Sequence, residues 1–279
     1  MFSKFLFLAF VAFFDGMTAG GPSGHFVSIG DHRLFIDCLD HQSAVTVILE
    51  SGAGVGHEAW SAVQPKVGEF ARVCSYDRAD LGRSDTPKMP DNPESIVANL
   101  HELLVAEHIP GPYVLVGASL GGVYVRRFTS RYPEKVLAMV LVDSSHEEQY
   151  GRYYATSPSV AERFATQDGR FAKNDFLRNS GQLPLGGRLS WHYDIPLIVL
   201  EHKRLHIPQT PVRSLTEADR LAMDWHALQV DLASRSNYGE LREAGSGHFI
   251  AGEQPDIVVQ SIHEVIEKIE FLKKESDVR

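Results

Sequence analysis

Residues 113–122 read YVLVGASLGG, a run of strand-forming residues that ends in the pattern G-x-S-x-G. A helix-compatible segment, residues 123–131, follows at once. The glycines at 117 and 121 allow a turn that is too tight for residues with larger side chains. A strand, a sharp turn and a helix in this order are typical of a nucleophile elbow, which exposes a serine hydroxyl at the end of a strand. The stretch therefore predicts an α/β fold in which Ser119 acts as a nucleophile.

The composition is that of an ordinary folded protein. The chain has 279 residues, of which 43% are hydrophobic and 23% are charged, so it is long enough for one large domain or two small ones. Its net charge is −9, and Lys and Arg form no run. Nucleic acid and anionic membrane surfaces are therefore poor candidate partners.

The N-terminal segment differs from the rest of the chain. Lys4 precedes the apolar residues 5–14, which are too few to span a bilayer but suit the core of a signal peptide. Small residues follow at 18–21, where a peptidase could cut. We predict that residues 1–24 are a signal peptide and that the protein is exported. The alternatives are that this segment stays as an N-terminal membrane anchor or forms an unprocessed strand.

The cysteine and histidine patterns favour neither a cross-link nor a metal site. Cys38 and Cys74 lie in apolar, strand-like runs, and their spacing does not argue for a pair. We therefore expect two buried free thiols, with one disulfide as the alternative. His-Glu pairs occur in the chain, but none completes H-E-x-x-H, so spacing gives zinc no support. We expect no metal and no cofactor.

Strand and helix signals alternate along the rest of the chain. Strands are predicted at 25–29, 33–39, 44–49, 73–76, 113–116, 136–142, 196–200 and 238–244. Helices are predicted at 58–70, 93–109, 123–131, 216–234 and from 255 onward. This alternation, after an initial hairpin, predicts an α/β fold with a mostly parallel eight-stranded sheet flanked by helices.

Residues 146 to about 194 interrupt the alternation. They are rich in polar and aromatic residues and contain no clear strand signal. We predict that this insertion between two strands is a small lid over a binding site, and the alternative is a surface excursion with no role in binding. The predicted organisation is one domain, residues 25–279, that carries this insertion.

Taken in chain order, these motifs resemble the α/β-hydrolase family. The resemblance covers nearly everything after residue 25 and rests on YDRAD at 76–80 with GRS at 82–84, GASLGG at 117–122, LVD at 141–143 and GSGH at 245–248. Two positions depart from the family pattern. Asp80 stands where many relatives have Gly, and Ser51 stands where many have His. Neither departure removes a catalytic group.

The resemblance implies a triad in the chain order serine, acid, histidine. An alcohol is a poor nucleophile at neutral pH, so Ser119 needs a base and an acid that orients the base. His248 is the predicted base, because it lies in a Gly-rich loop after the last predicted strand. His146, His202 and His226 are weaker candidates, since each precedes that strand.

The acid has several candidates. The commonest family position follows the next-to-last strand, but the loop there, residues 201–208, contains no Asp. Some family members carry the acid at the end of the preceding strand, where Asp143 stands. We predict Asp143 as the acid, and Glu201, Asp219 and Asp224 are the alternatives.

Two backbone N–H groups are predicted to stabilise the negative charge that develops on the substrate's carbonyl oxygen. The residue after the nucleophile, Leu120, supplies one of them. Family position assigns the other to Ala53, in the Gly-rich loop after the third predicted strand. Asp77, Arg78 and Ser84 are interpreted as structural residues that hold a loop near the pocket.

The leading hypothesis is a serine hydrolase that cleaves a carboxylic ester through an acyl-enzyme. The aromatic residues of the insertion favour a small-molecule ester with an apolar group. A dehalogenase or an epoxide hydrolase of this fold would need Asp in place of Ser119 and is disfavoured. A thioesterase, a lipase or a carbon–carbon bond hydrolase would use the same triad and stays open. The alternative from another class is a ligand-binding protein with little turnover.

Overall fold

The computed structural model describes residues 24–88, 92–161, 193–203 and 215–277. The predicted signal peptide lies outside these residues except for Gly24. Residues 162–192 of the predicted lid also lie outside them, so the lid stays a prediction.

One eight-stranded sheet forms the centre of the molecule. Its strands are β1 His25–Ile29, β2 His32–Leu39, β3 Thr46–Glu50, β4 Arg72–Tyr76, β5 Tyr113–Ala118, β6 Val136–Val142, β7 Leu197–Glu201 and β8 Gly239–Glu243. They are ordered β1-β2-β4-β3-β5-β6-β7-β8. The pairs β1–β2 and β2–β4 are antiparallel, and all other neighbours are parallel. The predicted mostly parallel sheet is confirmed.

The helices surround this sheet. They are α1 Gln64–Val67, α2 Pro93–Ala106, α3 Gly121–Arg131, α4 Gln149–Thr156, α5 Glu217–Ser234, α6 Ile250–Glu253 and α7 Pro255–Asp277. Side chains that cap the starts of α2 and α5 fix both boundaries: Asn92 accepts from the second and third residues of α2, and Thr216 accepts from Asp219. Within the described ranges, no helix is both long and apolar enough to cross a membrane.

The helix predicted for residues 58–70 is wrong in its extent. A 3₁₀ turn, His57–Trp60, and the short helix α1 replace it. Pro65 lies in the first turn of α1, where its missing N–H costs little. In the interior of a continuous helix the same proline would break the hydrogen-bond ladder.

Alternate residues of the central strands point into two apolar layers. On one face, Ile48, Leu115 and Met139 pack with residues of α2, α3 and α5. On the other face, residues of β3, β5 and β6 pack with α7 and with the segment around Trp60. Strands covered on both faces must be apolar throughout, and β3 is buried at every position. The edge strand β8 is instead GELRE, whose charges oppose pairing with another sheet edge.

Cys38 and Cys74 form a disulfide, so the expectation of two free thiols is wrong. The two residues lie directly opposite each other in the antiparallel pair β2–β4, with Cα atoms 4.1 Å apart. Residues that face each other directly on adjacent strands hold their Cβ atoms close together, which allows the two sulfur atoms to bond. Spacing along the chain did not reveal the pair, because β2 and β4 become neighbours only when β3 inserts on the far side of β4.

Candidate active site

Ser119 occupies the sharp turn between β5 and α3. Its φ is +50°, in the left-handed region that residues with side chains rarely adopt. The Ser119 N–H donates to the Val142 carbonyl at 2.9 Å, and the Ser119 carbonyl accepts from the Ser145 N–H at 2.9 Å. These bonds fix the turn against the end of β6, and strain that the fold maintains in this way is typical of functional sites.

Close approach of the backbone explains the glycines around Ser119. A Cβ atom on Gly117 would lie 2.6 Å from the Cα of Gly122. A Cβ atom on Gly121 would overlap the carbonyl oxygen of Glu50. The glycines therefore let α3 start directly against β5 and β3, while the strained φ belongs to the serine itself.

His248 bridges Ser119 and Asp143. Its Nε2 lies 3.1 Å from the Ser119 Oγ, and its Nδ1 lies 2.5 Å from the Asp143 Oδ2. Both are hydrogen-bond distances. An ionised carboxylate can only accept, so Nδ1 carries the proton and the neutral ring offers the lone pair of Nε2 to the serine hydroxyl. The three residues are thus connected as hydroxyl, imidazole and carboxylate.

Asp143 is a fully buried carboxylate at the end of β6. It accepts from His248, from the N–H and Nδ1 of His202 at 3.1 and 2.9 Å, and from the Trp225 Nε1 at 3.0 Å. Burial by itself would raise the pKa of Asp143, but the hydrogen bonds from His202 and His248 outweigh it and hold the pKa below its usual range. Asp143 is therefore ionised at neutral pH.

The alternative acids have other partners. Each bonds to a different residue: Glu201 to His226, Asp224 to Thr156 and Asp219 to Thr216. In the part of the chain that the structure describes, His248 bonds to Ser119 and Asp143 and to none of these carboxylates.

The weaker candidates for the base also lie apart from the serine. His146 is buried and bonds to Asp231 and Arg235. His226 bonds to Glu201, and His202 bonds to Asp143. Burial lowers the pKa of His146, which favours its neutral form. Among the described histidines, His248 alone contacts the Ser119 hydroxyl.

The loop after β3, residues 51–56, lies on the other side of Ser119, because β3 and β5 are adjacent and parallel. A Cβ atom on Gly52 would lie 3.3 Å from the Ser119 Cβ. Ala53 packs against the apolar cluster that contains Leu120. Within the described residues, neither the Ala53 N–H nor the Leu120 N–H donates to a backbone carbonyl. Both predicted oxyanion donors therefore lie beside the nucleophile with their N–H groups uncommitted to the backbone.

Arg78 holds this loop through its carbonyl groups. Its buried guanidinium donates to the Ser51 carbonyl at 2.7 Å and to the Gly52 carbonyl at 2.6 Å, and it pairs with Glu50 at 2.5 Å. The Gly52 C=O and the Ala53 N–H belong to one planar trans peptide group, so they point in opposite directions. The bond from Arg78 therefore fixes the direction of the Ala53 N–H.

Asp77 stabilises the end of the same loop, residues 51–56. Its fully buried carboxylate accepts from the His57 N–H at 2.7 Å and from the Arg83 N–H at 2.9 Å. Ser84 donates its hydroxyl to the Asp77 carbonyl at 2.7 Å. These bonds tie the segment after β4 to the end of the loop that carries Ala53. The contacts agree with the structural roles expected for Asp77, Arg78 and Ser84.

The described residues form no group of three or more His, Cys, Asp and Glu side chains that could hold a metal ion. The chemistry that they do support is proton transfer and nucleophilic attack. A hydroxyl lies next to an imidazole whose other nitrogen is held by an ionised carboxylate.

Sequence reasoning missed two contacts on Asp143. His202 entered only as a weak candidate for the base, although it stands in the loop where the family most often carries its acid. A polar side chain at that position is the signal that could have identified it. Trp225 gave no signal, because it lies within α5 and 82 positions from Asp143 in the chain. Only the packing of α5 onto the sheet brings the two together.

Comparison with known proteins agrees with the observed fold. Residues 45–189 match the family model described as the alpha/beta hydrolase fold. An uncharacterized protein of Bacillus subtilis (strain 168), YqjL, is 24% identical over 229 residues, which are 80% of this chain and 84% of that protein. An uncharacterized vacuolar membrane protein of Saccharomyces cerevisiae (strain YJM789) is 31% identical over 116 residues. That match covers 40% of this chain and only 18% of the yeast protein.

A solved structure of similar fold is alpha/beta hydrolase domain-containing protein 10 from mouse. Its TM-score is 0.63 at 16% sequence identity, and the match covers 88% of this chain and 99% of the mouse chain. At this identity the likeness shows the fold alone.

Proposed function

The chain belongs to the alpha/beta hydrolase fold family, and from that premise we propose that it is a serine hydrolase that cleaves a carboxylic ester through an acyl-enzyme. Family membership supports hydrolysis as the class of reaction. The observation that carries the finer proposal is the 3.1 Å contact between the His248 Nε2 and the Ser119 Oγ. It is supported by the 2.5 Å contact of the same ring with Asp143.

In this mechanism the Ser119 Oγ attacks the carbonyl carbon of the ester, and His248 takes the hydroxyl proton on Nε2. Asp143 stays ionised, holds the ring in the reactive tautomer and stabilises the imidazolium that forms. The oxygen that becomes negative accepts hydrogen bonds from the Ala53 and Leu120 N–H groups. The N-terminal end of α3 adds its positive dipole at the same place.

Three proton transfers complete the cycle. His248 gives its proton to the departing alcohol oxygen, which leaves the acyl group on Ser119. A water molecule then attacks the acyl carbon while His248 takes one of its protons. The second tetrahedral intermediate collapses, the Ser119 oxygen recovers the proton, and the carboxylic acid is released.

The substrate in this proposal is a small-molecule ester with an apolar group. Apolar surface near the base supports it: the exposed ring of Phe249 lies 5.9 Å from the His248 ring. At the start of the predicted lid, Tyr150 and Tyr154 stack with their centroids 6.0 Å apart. Thioesters and lipid esters react by the same steps, so a substrate panel has to include them beside nitrophenyl esters of increasing chain length.

Covalent labelling tests the proposed nucleophile. We expect a fluorophosphonate probe to label the wild-type protein and not Ser119→Ala, and we expect the variant to lose at least about 10⁴-fold in ester turnover. Ser61→Ala, at an exposed serine outside the site, is the control and should label like wild type. An unlabelled wild-type protein, or equal labelling of Ser119→Ala, would contradict a serine hydrolase and leave the ligand-binding alternative.

We also propose that the protein is exported. The apolar segment after Lys4 supports this proposal, and so does the Cys38–Cys74 disulfide, because disulfides persist in oxidising compartments. We expect protein recovered from outside the cytoplasm to begin within or shortly after residues 18–21 when its N-terminus is sequenced. An intact Met1 on that protein would exclude cleavage, and recovery in the membrane fraction would support the anchor.

A further inference from the structure

Two histidines share the carboxylate of Asp143. His248 approaches Oδ2 with its Nδ1 at 2.5 Å, and His202 approaches the same oxygen with its Nδ1 at 2.9 Å. His202 also donates its backbone N–H to Oδ1 at 3.1 Å. Because an ionised carboxylate only accepts hydrogen bonds, both rings present an N–H to it. Protonation of either ring therefore changes the proton affinity of the other ring, because both rings bind the same carboxylate.

The surroundings of His202 favour its charged form. Its hydrogen bond to Asp143 raises the pKa of His202 above the usual value; burial opposes this shift, and the charges of Glu201 and Glu243 add to it. From α5, His202 faces the uncharged ring of Trp225, with centroids 5.9 Å apart. The exposed Lys203 follows it in the chain. His202 therefore keeps its proton over part of the range in which an ordinary histidine has lost it.

We propose that His202 is a positioning residue that sets the basicity of His248 through their shared carboxylate. The inference rests on the proposed function, in which His248 is the base. As an imidazolium, His202 offsets part of the negative charge of Asp143. Protonated His248 then gains less from the carboxylate, so it releases its proton at a lower pH. His202 thereby extends ester turnover to lower pH.

The distance between the two rings sets the size of the expected shift in the proton equilibrium of His248. The two Nδ1 atoms contact one oxygen, so they lie within roughly 5 Å of each other. A unit charge at that separation, screened by the partial exposure of both rings, shifts a proton equilibrium by about one pH unit. Such a shift is larger than the uncertainty of a measured pH–rate profile.

His202→Gln separates charge from hydrogen bonding, because the amide N–H can still donate to Asp143 while the positive charge is lost. We expect the acid limb of its kcat/KM profile, measured on a nitrophenyl ester, to move up by about one pH unit. On the plateau above that limb, kcat/KM should stay within about threefold of wild type. His202→Ala loses the charge and the bond together, so it should show the same shift and a lower kcat as well.

His226→Gln is the matched control. His226 bonds to the buried Glu201 at 2.8 Å, and its exposure is similar to that of His202, 27% against 32%. This second pair of a histidine and a buried carboxylate includes none of the three residues Ser119, Asp143 and His248. The acid limb of His226→Gln should therefore superimpose on that of wild type. Thermal melting of each variant checks that it is folded.

A second measurement needs no turnover. In the Ser119→Ala background, NMR titration of the His248 ring should show the same upward shift when His202→Gln is added. An unchanged titration, an unchanged acid limb in His202→Gln, or an equal shift in His226→Gln would overturn the inference. Absence of ester turnover by wild type would instead overturn the proposed function, and the titration would still test the coupling.

Discussion

Two buried charges flank Ser119, and the fold holds them in opposite ways. Asp143 is a carboxylate held by side chains from three separate parts of the chain: His202 after β7, Trp225 in α5 and His248 after β8. Arg78 is a guanidinium that binds neighbouring groups of one short segment, Glu50 and the two carbonyls that follow it. The surroundings of Asp143, here called the acid side, are thus assembled from distant segments. The contacts of Arg78 with residues 50–52, here called the oxyanion side, are local in the chain.

The difference lies in what each charge controls. In the proposed mechanism, Asp143 acts on a side chain that moves a proton, so its effect depends on charge as well as on direction. In the same mechanism, Arg78 acts on a backbone amide that only has to point at the substrate, so its effect is one of geometry. Asp143 accepts from three side chains, while the Ser51 and Gly52 carbonyls both accept from the one guanidinium of Arg78. We therefore expect loss of the Trp225 N–H to cost less activity than loss of the Arg78 guanidinium.

The largest expected effect is that of Asp143→Asn. An amide cannot hold His248 in the required tautomer or stabilise its charged form, so we expect kcat to fall by about 10⁴-fold. Steady-state kinetics on a nitrophenyl ester measure this fall. Asp224→Asn, at a carboxylate that bonds to Thr156, is the control and should stay near wild type. Near-normal turnover in Asp143→Asn would instead assign the acid of the triad to Glu201, Asp219 or Asp224. The contrast drawn between Asp143 and Arg78 would then not hold.

A smaller effect is expected from Arg78→Lys. Lysine keeps the positive charge but cannot reproduce the fork of donors that spans Glu50 and the carbonyls of Ser51 and Gly52. The Ala53 N–H would then lose its direction, and we expect kcat to fall about 10- to 100-fold, less than for complete removal of an oxyanion donor. KM should change little, because the misdirected donor matters most in the transition state.

Two measurements sharpen this second test. A reversible boronic acid inhibitor that mimics the tetrahedral intermediate should bind Arg78→Lys more weakly by a factor similar to the loss in kcat. Arg33→Lys, at a half-exposed arginine paired with Asp85, is the control and should bind it like wild type. If Arg78→Lys melts at a lower temperature while kcat and inhibitor binding are unchanged, Arg78 contributes to stability alone. The proposed role of Arg78 in directing the Ala53 N–H would then be wrong.

The sequence predicted the features that depend on local order along the chain. Apolar runs predicted the strands, and the glycines around Ser119 predicted the tight turn between β5 and α3. What escaped prediction depends on strand order and on packing between distant segments. The disulfide needs β2 beside β4, and the bond from Trp225 to Asp143 needs α5 seated on the sheet. The overlong helix at 58–70 was a local error, since Pro65 marks where a new helix starts.

The position of Asp143 on β6 has a consequence for how this protein can evolve. Ala118 pairs with Val142 in the sheet, so Ser119 and Asp143 are the next residues of two adjacent strands. A long connection joins Asp143 to Leu197, the first residue of β7. That long excursion separates neither the serine from its carboxylate nor Ala53 from Leu120. Insertions, deletions and exchanges can therefore accumulate there while the paired strands keep Ser119 and Asp143 next to each other.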